Sequence, residues 1–171
     1  PNGWVRATAS RDAQFHVSTC DHEMACLLSD LAPVECMDTA PLLVASCDIE
    51  AYSSTGKFPD AGVRADACFM VCASIRRLGA PVASALHLCF LFNDTLGALQ
   101  MRKTASPDGT VYVLAFPTEG DMLRAFRDCV CVYLDADLVM WYNGLRFDLP
   151  YLFRRALLGG DPTDKGSAFD R

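Results

Sequence analysis

Apolar and polar positions divide the chain into stretches of different period. Within 1–41, the short alternating segments "WVRAT" and "AQFHVS" are broken by Asn2-Gly3 and by Ser10-Arg11-Asp12, and they predict small antiparallel strands. The stretch "APVECMDTAP", ending at Pro41, reads as a connector. The apolar run Leu42–Cys47 then stops abruptly at Asp48-Ile49-Glu50, a pattern that suits a strand covered on both faces. After the loop "SSTGKFPDAGVRAD", the segments "ACFMVCASI", "SALHLCFLF" and "TVYVLAF" predict three more strands, the last preceded by a longer polar loop.

The period changes after Phe116. Met122, Leu123, Phe126, Val130 and Tyr133 recur at helical spacing within Thr118–Leu134, and Thr118 with Asp121 forms a start signal of the capping-box kind. "DLVMWY" predicts a short buried strand, followed by a turn at Asn143-Gly144. "FDLPYLFRRALLGG" predicts a helix with Asp148 as N-cap, Pro150 in the first turn and Gly159-Gly160 at its end. Sequential strands followed by helix, strand and helix make an α/β architecture: a mixed sheet with flanking helices, preceded by a short β-rich N-terminal segment.

Composition narrows the classes. Among 171 residues, 51% are apolar and 21% charged, which suffices for a real core and excludes a disordered chain. No apolar stretch is long enough to span a membrane. The chain opens at Pro1 without a basic and apolar leader, so no signal peptide is expected, and the start reads as that of an excised fragment. A net charge of −6 argues against a nucleic-acid binder held by phosphate contacts alone, but not against an acidic, metal-filled cleft acting on a phosphodiester. The nine cysteines include no Cys-x-x-Cys pair and read as small buried hydrophobes of a reducing compartment. His16, His22 and His87 lack metal-ligand spacing and read as structural or surface residues.

The acids carry the chemistry. Asp48 and Glu50, two apart near a strand end, point to the same side, and like charges there cost stability unless a cation lies between them. Asp148 follows another strand at a helix start. If that strand lies beside the first, the three carboxylates meet at the carboxyl end of the sheet. Taken singly, Asp148 also reads as an ordinary N-cap, and Asp48 with Glu50 as a solvated strand end.

The wording around these acids is more specific. "SCDIEAYSSTGKFPDA" resembles the first exonuclease motif of family B DNA polymerases, and "LVMWYNGLRFDLPYLFRRA" resembles the second. "APLLVASCDIE" and "TEGDMLRAF" resemble the eukaryotic delta type in particular. The resemblance implies a ribonuclease H-like fold over 42–171, with 1–41 as the end of the polymerase N-terminal region and its connector. It also implies 3′–5′ removal of mispaired nucleotides from DNA. Asp48, Glu50 and Asp148 are then catalytic ligands of two Mg²⁺ or Mn²⁺ ions, and Asn143 and Phe147 orient the strand end. Implied partners are primer–template DNA and other replicative subunits, in the nucleus and with no membrane. The family's third motif, Tyr with Asp four residues later, is expected beyond Arg171, so the isolated chain is expected to be inactive or very weak. Tyr133 and Asp137 match it literally but precede the second motif and are rejected.

Two alternatives remain at this point: a nuclease-derived module that only binds or scaffolds, and an unrelated ribonuclease H-like nuclease acting on RNA. "TGKF" around Lys57 lacks the residues of a P-loop. Arg76-Arg77 and Arg154-Arg155 read as solvated faces rather than phosphate contacts. Phe69, Phe90, Phe92 and Phe116 read as core.

Overall fold

In the computed structural model, which describes residues 4–12, 23–36, 38 and 40–159, contacts divide the chain into two units, Pro1–Thr39 and Ala40–Arg171. The first unit contains β1 (Trp4–Ala7). Its antiparallel partner is β4 (Leu31–Val34), while β2 (Arg11–Asp12) pairs antiparallel with β3 (Met24–Ala25). β1 matches the strand expected at "WVRAT", Arg11-Asp12 form β2 where a break was expected, and the connector is shorter than expected. Ala32, Pro33 and Val34 belong to β4, where a two-stranded pair has only edges and tolerates the missing N–H of Pro33. "AQFHVS" lies outside the described residues, as do His16 and His22.

The second unit is built on one mixed sheet of six strands. In chain order these are β5 (Leu43–Ala51), β6 (Cys68–Arg77), β7 (Ala85–Phe92), β8 (Gln100–Ser106), β9 (Gly109–Phe116) and β10 (Leu138–Trp141), arranged spatially as β10-β5-β6-β7-β9-β8. β10–β5 and β7–β9 are parallel, and the other neighbours are antiparallel. β8 was expected as loop. It exposes nearly every side chain and so carries no hydrophobic alternation, and its strand state comes from pairing with β9. Arg102 and Lys103 place charge on this outer edge, which discourages further pairing.

Two expectations about burial need correction. β5 is covered on one face only: Ala45, Cys47 and Ile49 are buried, while Ser46, Asp48 and Glu50 between them are exposed. β10 is not buried either. It is the sheet edge, with Leu138, Val139 and Met140 exposed.

Helices cover the face of Cys47. α1 (Glu119–Arg127) begins where expected: the Thr118 Oγ1 accepts from the Asp121 N–H at 3.1 Å and donates to the Asp121 carboxylate at 2.7 Å. The expected single helix to Leu134 instead changes at Asp128–Tyr133 into a π-helical turn, closed by the Leu134 N–H donating to the Cys129 carbonyl at 2.9 Å. The wider turn shifts the phase of the stripe. Val130 stays fully buried, but Tyr133, expected on the same face, is exposed. α2 (Asp148–Gly159) completes the layer, and Gly160 lies outside the described residues.

The core lies between this layer and the sheet. Met122, Leu123 and Phe126 of α1 and Tyr151, Leu152 and Ala156 of α2 pack with Ile49, Val71, Ala73, Ile75, Leu88 and Phe90 of the strands. Each large side chain buried there contributes about 1.5–3 kcal/mol by removal from water. Phe90 and Phe116 are core as expected, but Phe69 is 40% exposed and Phe92 only partly buried. Cys47 and Cys68 are buried, whereas Cys26 and Cys131 are exposed. His87 sits on β7 with its Nε2 3.2 Å from the Asp108 carbonyl.

The loop 52–67 is fastened from within by Asp66, whose buried carboxylate accepts from the Asp60 N–H at 2.9 Å, the Ser54 hydroxyl at 2.6 Å and the Ser54 N–H at 2.8 Å. The Asp60 N–H, then the Ser54 donors, hold its carboxyl below the usual 3.8. A depressed carboxylate contributes stability that is complete above its unfolded value and lost as pH falls through the folded one. Asp66→Asn is therefore expected to flatten the fall of melting temperature with acid below about pH 4. A thermal profile from pH 7 to 2 that superimposes on that of the parent chain contradicts this.

Candidate active site

Two segments that carry the expected site residues leave the same end of the sheet. β10 runs parallel to β5 with Trp141 opposite Cys47, so the turn after β10 emerges beside the Asp48 position. Asp48 and Glu50 face the open side of β5, and a register shift between Glu50 and Ala51 skips Phe69 in the pairing with β6. Bulges of this kind re-aim the side chains around them.

From Trp141 the chain folds tightly to reach α2. The Asn143 carbonyl accepts from the N–H groups of Arg146 and Phe147, each at 3.0 Å, and the Gly144 carbonyl accepts from the Leu149 N–H at 2.9 Å. At Gly144 a Cβ would lie 2.5 Å from the Trp141 Cβ, so only glycine allows the chain to double back this closely. Asp148 is the first residue of α2 rather than a cap ahead of it, and it is 4% exposed. Burial, opposed by the hydrogen bond from its own N–H, and the charge of Asp48 push its carboxyl above the usual 3.8. The charge of Asp48 thus reaches the Asp148 carboxyl across two elements 100 positions apart in sequence.

Glu50 shares the open side of β5 with Asp48. Among the described residues, no three His, Cys, Asp or Glu side chains are grouped so that together they could hold a metal ion. Asn143 is exposed, and Phe147 is partly buried with its ring against Phe58 (centroids 4.9 Å apart) and Tyr151 (5.4 Å). Phe58 is 76% exposed, and together with Arg146, Phe147 and Arg154 it lines a shallow groove at the start of α2. Asp137, of the rejected motif match, accepts from the Leu43 N–H at 2.7 Å and so anchors the start of β5.

The position of Asp148 depends on Arg155, Glu119 and Tyr151. Arg155, expected on a solvated face, is 3% exposed. Its guanidinium donates to the Glu119 carboxylate at 2.8 and 2.5 Å and to the carbonyls of Ala61 (3.3 Å), Val63 (2.9 Å) and Arg64 (3.2 Å). Glu119 also accepts from the Cys68 N–H at 2.8 Å, and the Tyr151 hydroxyl donates to the Asp66 carbonyl at 2.6 Å. Together these bonds fix α2 to α1 and to the loop that follows Glu50. Arg155 and Tyr151 lie on the α2 face that also presents Leu152 and Ala156, and this helical spacing is the signal that placed them inward.

Comparisons agree with this geometry. The profile of the family described as "DNA polymerase family B, exonuclease domain" matches residues 1–163. A DNA polymerase of Paramecium bursaria Chlorella virus NY2A is 25% identical over 92% of this chain and 16% of its own length. The DNA polymerase delta catalytic subunit of Oryza sativa is 32% identical over 90% of the chain and 13% of its own length. That of Arabidopsis thaliana is 33% identical over 82% of the chain and 12% of its own length. The chain thus spans 12–16% of the length of these relatives. With a mixed sheet of ribonuclease H-like type and both motif segments at one end of it, the chain belongs to the exonuclease domain family of the family B DNA polymerases.

Proposed function

We propose that this domain hydrolyses the 3′-terminal phosphodiester of DNA, as the proofreading nuclease of a replicative polymerase of the delta type acting on primer–template DNA in the nucleus with other replicative subunits. The observation that carries the reading is the parallel pairing of β10 with β5, which brings the turn leading to the buried Asp148 out beside the Asp48 position.

Exonuclease domains of this family are metal-dependent, and the donor set here suits a hard divalent cation. Mg²⁺ or Mn²⁺ is held by one or two carboxylates with open positions left for water and substrate phosphate, and needs no closed protein cage. Asp48, Glu50 and Asp148 are the residues that would hold a pair of such ions. When bound, the ions lower the pKa of the attacking water and stabilise the leaving 3′-oxygen.

The chain's own residues supply the positioning. Asp48 and Glu50 sit on a strand and Asp148 on a helix start, elements stiff enough to keep ligands from drifting. Phe147, wedged between Phe58 and Tyr151, presents an aromatic surface beside Asp148, and Asn143 offers an exposed amide on the turn before it. Both are suited to orienting a strand end.

Asp48→Ala in the polymerase carrying this domain is expected to reduce metal-dependent release of mononucleotides from single-stranded DNA by more than about 100-fold while nucleotide incorporation continues. Release at the parent rate would overturn the proposal.

A further inference from the structure

The open face of the sheet carries a feature that the nuclease reading does not use. Cys72 on β6 and Cys89 on β7 are direct antiparallel partners, and directly opposed residues of such a pair project to the same face, so the two side chains meet on one side. That side is the uncovered one. Cys72 is also the register partner of Asp48, and both cysteines are partly exposed.

Directly opposed residues of an antiparallel pair have Cα atoms about 4.5 or 5.5 Å apart, and both spacings fall within the range that a disulfide spans. The other described cysteines are placed differently. Cys47 and Cys68 are buried, Cys129 and Cys131 are two residues apart along one helical turn, and Cys26 and Cys36 belong to the first unit.

We propose that Cys72 and Cys89 form a reversible redox modification site, closed to a disulfide by a peroxide-class oxidant. One thiol attacks the peroxide, the O–O bond breaks, and the sulfur becomes a sulfenic acid as one water leaves. The second thiol attacks that sulfur, an S–S bond forms and a second water leaves. Two thiols are thereby oxidised and one peroxide is reduced to two waters. A dithiol reverses the change by thiol–disulfide exchange. The bond would tie β6 to β7 in the row that contains Asp48, one strand away from it, so the modification belongs to the open face and not to the helical layer. This inference holds whether or not the domain cleaves DNA.

The test treats the chain of residues 1–171 with substoichiometric hydrogen peroxide, blocks the remaining thiols and maps the peptides by mass. The expected result is a loss of two mass units located in a Cys72–Cys89 linkage, reversed by dithiothreitol. The linkage should be absent when the same chain is oxidised in urea, where pairing among nine cysteines is not directed by the sheet. Cys72→Ser and Cys89→Ser, each checked for native circular dichroism, should abolish the two-unit loss. Linkages scattered among other cysteines, the same linkage frequency in urea, or sulfinic acid at either position without a disulfide would each overturn the proposal.

Discussion

Replacing Arg155 by methionine is expected to cost about 3–5 kcal/mol of stability, because it removes one partner of a buried ion pair and leaves the other behind. The Glu119 side chain is only 12% exposed and would keep, among the described residues, the Cys68 N–H as its donor. The carbonyls of Ala61, Val63 and Arg64 would lose their guanidinium donor as well. Arg155→Lys is expected to recover little, since one ammonium cannot reach a carboxylate and three carbonyls that a planar fork serves together. Urea denaturation of the parent, Arg155→Met and the double variant Arg155→Met/Glu119→Leu checks the origin of the loss. The double variant should be more stable than the single one, as the orphaned charge is gone. A single-variant loss below about 1 kcal/mol would place Arg155 among ordinary surface pairs, contrary to its burial. The same bonds hold α2 against the loop after Glu50, so loosening them also loosens the placement of Asp148 relative to Asp48.

Asp148→Asn is expected to move stability and activity in opposite directions. In the folded chain burial and the charge of Asp48 raise the Asp148 carboxyl above its ordinary value, so at neutral pH its ionised form is a net cost to folding. The sign follows from that direction. This destabilisation is present above the folded value and disappears as pH falls through it. Asparagine removes the charge at nearly constant volume, so the variant should melt higher than the parent in chelator at pH 7 and lose that advantage in acid. In the polymerase carrying the domain, the same substitution should reduce mononucleotide release by more than about 100-fold, since an amide is a poor replacement for a carboxylate on a hard cation. Lower stability together with full release would show that Asp148 serves the helix start and not the chemistry.

Much of this organisation was legible along the chain because it depends on local rules. The strands β5, β6, β7 and β9 carry enough apolar side chains to be recognised without their partners, and Thr118 announces α1 through a bond to the residue three positions on. The acids Asp48, Glu50 and Asp148 were visible in the wording of their segments. β8 was not, because an exposed edge strand obtains its structure from the neighbour it pairs with, and its own side chains meet mostly water. Arg155 was misread for a related reason. Its charge suggests solvent, and only the convergence of Glu119 and three carbonyls from residues more than 30 positions away makes burial tolerable.

What the amino-acid order determined by itself, then, was the set of elements and the chemical identity of the candidate ligands, because periodicity, capping and turn chemistry act over a few residues. The tertiary structure decided which face of β5 stays open, that β10 runs beside it, and that Asp148 is buried within reach of the charge of Asp48. Those outcomes depend on pairings between distant segments, whose energies arise only once the sheet has assembled and excluded water from one of its sides.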